Sequence, residues 1–160
     1  MFWQKQKKKL VEVAETLFVE LVQKPVIFMP ADCRVSENSA QQFENKLYTY
    51  QFTIVLMALL REEQNNLRFA LVREYFEKIF FPEDQNERLK ILANVKSAMA
   101  DLESLFFGEM QGKIGWAVAW FQDIGINEDN PVVLARFVFS WTNHYAGVVE
   151  SIQEIGKSIL

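Results

Sequence analysis

One histidine and one cysteine in 160 residues leave this chain almost without the side chains from which metal centres and nucleophilic triads are built. No Glu-x-x-His, His-Glu-x-x-His or paired Cys-x-x-Cys motif occurs, so zinc and bundle di-iron sites lack ligands, and no metal or cofactor is expected. The lone Cys33 excludes an internal disulfide framework and fits a reducing compartment. Six glycines and four prolines are too few for the turn-rich connections of an all-β fold. No glycine-rich phosphate loop follows a strand. The longest apolar run, Phe52 to Leu60, is broken only by Thr53 and falls far short of the ~20 residues of a membrane span; it reads as the most buried stretch of a helix. Glu12, Glu15 and Glu20 within Leu10 to Val22 rule out a signal-peptide core, so the expected location is cytoplasmic.

What is present points to one fold class. Half the residues are apolar and 14% aromatic, enough for a bulky single core in one domain spanning 1–160. Apolar side chains recur at Leu134, Val138, Trp141, Tyr145, Val148, Ile152, Ile155 and Ile159, alternating steps of four and three that mark the seam of one long amphipathic helix. Asn130 suits its N-cap and Pro131 its first turn. The same logic predicts five earlier helices. The first runs from Gln4 to Gln23 over Leu10, Ala14, Leu17, Phe18, Leu21 and Val22. The second follows a cap at Ser36 or Ser39 and carries Phe43, Leu47, Tyr50, Ile54 and Met57. The third, Leu67 to Phe81, buries Phe69, Val72, Phe76 and Ile79, with Asn65-Asn66 either a break or a bend before it.

A fourth helix presents Leu89, Leu92, Val95, Met99, Leu102 and Phe106, between the acidic start Glu83, Asp84 and Glu87 and a cap at Gly108. The fifth, Glu109 to Ile124, presents Ile114, Val118 and Phe121, and its Gly112, Gly115 and Ala119 leave room for a neighbouring helix. Residues 25–38, held between two prolines but rich in apolar side chains, read as an extended strap packed on the body. The expected fold is an all-α bundle of five or six helices with a long C-terminal helix.

Candidate chemistry is sparse. The carboxylates Glu62-Glu63 and Glu74/Glu77 lie among Arg61, Arg68, Arg73 and Lys78, the pattern of a solvated helix face. Trp116 and Trp120 stand one turn apart, and Trp141 and His144 share the final helix. These four residues are the candidate lining of an aromatic pocket or partner groove. His144 itself reads either as a boundary residue donating to a backbone or side-chain oxygen or as the titratable group of such a pocket. Phe2, Trp3, Lys5, Lys7, Lys8 and Lys9 form a basic and aromatic tail of the kind that meets anionic membrane surfaces, since cations there oppose the helix dipole. Net charge is −4, and without those four lysines the rest carries 13 positive against 21 negative charges, or −8. That body repels phosphate backbones, so nucleic-acid binding is not expected.

The order of features resembles the ubiquinol–cytochrome c chaperones, helical factors that help assemble cytochrome b. Gln23-Lys24-Pro25-Val26-Ile27-Phe28 is similar to that family's basic-x-Pro-x-Phe stretch, and Val55-Leu56-Met57-Ala58-Leu59-Leu60-Arg61 to its apolar helix closing on Leu and Arg. Val95-Lys96 with Phe106-Phe107-Gly108 is similar to its later Val-Lys and Phe-aromatic-Gly elements. Pro82-Glu83-Asp84-Gln85-Asn86 stands where the family has an acidic segment, and Glu109 where it has a basic residue. The resemblance implies an assembly factor with a protein partner. The residues themselves imply a non-catalytic interaction protein, an assembly factor or adaptor, that binds an apolar or amphipathic partner segment, near a membrane surface if the basic tail is used. Two other classes fit the same residues: a helical pocket for a hydrophobic small molecule, and a small acidic inhibitor or immunity-type protein.

Overall fold

A computed structural model describes residues 1–25, 27 and 36–159. Six α-helices follow one another among them: α1 Phe2–Phe18, continued by a π-helical turn Val19–Gln23, α2 Glu37–Glu63, α3 Arg68–Phe80, α4 Gln85–Phe107, α5 Met110–Gln122 and α6 Pro131–Ile159. Their ends are set by the residues the sequence singles out. Ser36 accepts from the Ser39 amide at 3.1 Å and starts α2. Asp84 accepts from the Glu87 amide at 2.9 Å and starts α4. Asn130 accepts from the Val132 amide at 3.0 Å and starts α6. Asn65-Asn66 is a true break, since both amides turn back onto the Glu62 carbonyl. Gly125 closes the turn after α5 with φ of +80°, a conformation that costs glycine nothing.

Helix α2 is the axis, packed against α3, α4 and α6 and the π-helical turn. Phe52, Ile54, Val55, Ala58 and Leu59 are fully sealed, as the apolar run requires. Phe52 stacks on Phe80 at 3.7 Å and on Phe76 at 4.9 Å between centroids, which locks α3 to α2. The π-helical turn adds a residue to the end of α1, so Val22 falls inward while Leu21 is only half-buried.

Several faces are rotated from those expected. Ile79 is exposed, because Phe80 takes its place in the stack on Phe52. Leu89 is exposed as well: the sealed row of α4 is Val95, Ala98, Leu102 and Leu105, with Met99 and Phe106 half-buried beside it. On α5 the sealed row is Ala117, Trp120 and Phe121, continued by Ile124 in the turn that follows, with Ile114 and Val118 at its edge. Large rings win the interior there, so Gly112, Gly115 and Ala119 face outward, and nothing lies within 4 Å of a Cβ built on either glycine. Of the segment expected as a strap, Ile27 is buried, and Glu37 and Asn38 already belong to α2. Val26, Phe28, Met29 and Cys33 lie outside the described residues.

Candidate interaction surface

Trp116 and Trp120 of α5 and Trp141 of α6 come together as expected, but inside the bundle. Trp120 and Trp141 are 6.4 Å apart, Tyr50 of α2 packs on all three rings, and Phe137 stacks on Trp116 at 5.9 Å. Trp141 is 0% exposed and Trp120 2%. Trp120 and Trp141 fill the core where α2, α5 and α6 meet, with Trp116 half-buried at its edge. His144 stands half-buried on the flank of α6, and its Nε2 is sealed without a hydrogen-bond partner among the described residues, so Nε2 does not make the donation expected of a boundary histidine there. The three indole N–H groups are likewise buried and unpartnered among the described residues. Burial without compensation lowers the His144 pKa to about 4 and keeps the ring neutral.

The paired carboxylates have structural partners. Glu62 is buried rather than solvated, and it accepts from Gln153 of α6 at 3.1 Å. Glu63 takes both forks of Arg73, at 2.7 and 3.1 Å, and Glu77 takes a third bond of the same guanidinium. A polar cleft of about 490 Å³ opens between α2, α4 and the α5–α6 turn. There Tyr50 donates to Asp101 at 2.7 Å and Lys46 to Asp123 at 3.1 Å, with the Lys46 ammonium 4.6 Å over the Trp120 ring. Burial first, then the Asp101 bond and the charges of Asp101 and Asp123, push the Tyr50 phenol upward and hold it as a neutral donor. Each charged group named here is held by a partner within the cleft or by the ring it covers.

The start of the chain is different. The basic and aromatic stretch forms the opening turns of α1, which begins at Phe2 rather than at the expected Gln4, with Phe2 76% and Trp3 65% exposed. Phe2, Trp3, Lys5, Gln6, Lys9 and Leu10 share one helical face and line a groove of about 320 Å³, closed on its other sides by Arg68 and Leu71 of α3 and Ile159 of α6. Lys9 donates to the Ser158 carbonyl at 2.8 Å and Arg68 Nη1 to the Ile159 carbonyl, so two cations cap the last turn of α6. Lys7 and Lys8 are exposed outside the groove. Next to Arg68, at the tip of the α2–α3 turn, Leu67 is 82% exposed. Arg68, Leu71, Ile159 and Leu67 carry no local signal of such a role; only the packing of α1 on α3 and α6 assembles them. Among the described residues no helix is long and apolar enough to cross a membrane. No family model, curated protein or solved structure matches the chain.

Proposed function

We propose that this chain is a non-catalytic interaction protein, an assembly factor or adaptor, that works at an anionic membrane surface and engages apolar or amphipathic partners there through the start of α1. One observation carries this reading: exposed Phe2, Trp3 and Leu67 stand beside Lys5, Lys7, Lys8 and Arg68 at one end of the bundle. Aromatic and aliphatic side chains enter the interface between headgroups and acyl chains, while each nearby cation contributes about 1 kcal/mol of attraction to an anionic leaflet. The carboxylates Glu62, Asp101 and Asp123 are used to join helices and turns, which supports a binding rather than a catalytic role. The assembly-factor form of the reading is the one implied by the resemblance to the ubiquinol–cytochrome c chaperones.

Co-sedimentation with vesicles tests it. The intact protein should pellet with vesicles rich in phosphatidylserine at low salt, and remain in the supernatant with neutral vesicles or at high salt, where the Debye length shrinks to ~3 Å. Phe2→Ser with Trp3→Ser, and separately Lys7→Glu with Lys8→Glu, should each reduce the pelleted fraction. Substitution is preferable to deletion of residues 1–9, because Lys9 holds the end of α6. An intact protein that stays in the supernatant at low salt overturns the membrane reading.

A further inference from the structure

We infer that the groove between α1, α3 and the last turn of α6 binds a single-chain amphiphile with a carboxylate head, a long-chain fatty acid taken up as a monomer. The inference rests on the reading of the α1 face as one that meets amphiphiles, and deepens it by giving that face a discrete ligand. The size is right: about 320 Å³ lies within the ~300–1,000 Å³ of small-molecule sites. So is the division of its lining. Phe2, Trp3, Leu10, Leu71 and Ile159 are apolar, and every charged residue of the groove is a cation: Lys5, Lys9 and Arg68. That its lining holds no carboxylate among the described residues is unexpected on a chain of net charge −4, and it selects for an anion joined to an apolar tail.

The capping role of Lys9 and Arg68 does not exhaust them. Each makes one bond to a terminal carbonyl of α6, and an ammonium or guanidinium carries further N–H donors. The end of a helix is equivalent to about half a negative charge, which three full cations outweigh, so the mouth of the groove stays positive. The Lys5 amide bonds back to the Met1 carbonyl, while its ammonium meets no hydrogen-bond or ion-pair partner among the described residues and is the cation most available to a ligand. The arrangement places a carboxylate at Lys5 and Arg68, with the chain running over Leu71 and Leu10 and covered by Trp3.

The test is titration of the protein with laurate below its micelle concentration, at pH 8 and without vesicles, followed by calorimetry and tryptophan emission. Saturable binding of one equivalent is expected, with a blue shift of emission that disappears in Trp3→Phe while the calorimetric signal persists. Leu71→Trp fills the groove and should abolish binding. Lys5→Glu, at an exposed first-turn position where an acid suits the helix dipole, keeps the fold and should weaken binding about tenfold. Dodecanol, with the same chain and no charge, should bind at least about tenfold more weakly, and inorganic phosphate not at all. Absence of laurate binding, equal affinity for dodecanol, or full affinity in both variants overturns the inference. Vesicle binding without laurate binding leaves the membrane reading standing and removes the groove; laurate binding without vesicle binding does the reverse.

Discussion

The side-chain amide of Gln51, buried in the middle of α2, donates to the Val22 carbonyl at 3.2 Å, across the junction where the π-helical turn ends. The same Nε2 also reaches the carbonyls of Leu21 at 3.1 Å and Lys24 at 2.9 Å. A helix end buried against a neighbour must satisfy its last carbonyls, and here a single residue of another helix does so. Gln51→Leu preserves shape but strips these acceptors. We expect a loss of about 2–3 kcal/mol, read as a lower urea midpoint, with the damage concentrated in faster amide exchange of residues 17–24.

The seam of α6 should tolerate charge in proportion to its burial. Val138 is sealed, so Val138→Asp should cost at least about 3 kcal/mol and abolish cooperative unfolding in a chain of ordinary stability. Tyr145 is half-buried and stacks on Phe106 at 4.5 Å, so Tyr145→Asp should be milder, about 1–2 kcal/mol. His144→Gln loses no hydrogen bond at Nε2 and should cost less than about 1 kcal/mol at pH 7. Thermal melts of the three variants rank them.

His144 makes the fold acid-sensitive. Its pKa is about 4 in the folded protein, against an unfolded value near 6.5, so between these the unfolded chain binds more protons. Stability from this residue is complete above about pH 6.5 and is lost as pH falls toward 4, amounting to roughly 2 kcal/mol by pH 5 and about 3 kcal/mol at most. Urea unfolding at pH 7 and pH 5 should show this drop, and His144→Gln should remove it. An equal drop in both proteins would assign the effect to other groups.

Three of the six glycines lie inside helices with open space around them. Gly112, Gly115 and Gly147 have nothing within 4 Å of an added Cβ, and replacement by alanine should stabilise by up to about 1 kcal/mol each. Gly156 is the counter-case, since its Cβ would meet the Phe69 ring at 3.1 Å. There the helix gain is offset by displacing a sealed ring that fastens α3 to α6, and Gly156→Ala should be neutral or destabilising. Melting temperatures of the four alanine variants separate the two situations.

Helix type and boundaries were legible in the sequence because they are local: a serine cap before α2, the acidic start of α4, the Asn130 cap and the period of α6 act within a few residues, although which serine and which acid does the capping, Ser36 and Asp84, emerges only in the structure. Which face each helix buries was less legible, since that is decided between helices. Ile79 and Phe80 are equally apolar, and only the Phe52 ring opposite them selects Phe80. The same cause misdirects the site. Trp116, Trp120 and Trp141 drew attention as a pocket, yet large rings at helical spacing are used here to fill the space between α5 and α6. Phe2, Trp3 and the lysines were legible because nothing in helix formation accounts for them, but the walls opposite, Arg68, Leu71 and Ile159, are remote in sequence.

That remoteness has a kinetic side. Lys9 and Ser158 are joined across 149 positions, and closing so long a loop costs about 2 kcal/mol more in chain entropy than closing one of fifteen residues. The contact between α1 and α3, far closer along the chain, can form before that closure and persist when it is lost. The last turn of α6 is therefore the part of the groove wall whose closure costs the most chain entropy, and the groove is complete only when the two ends of the chain have met.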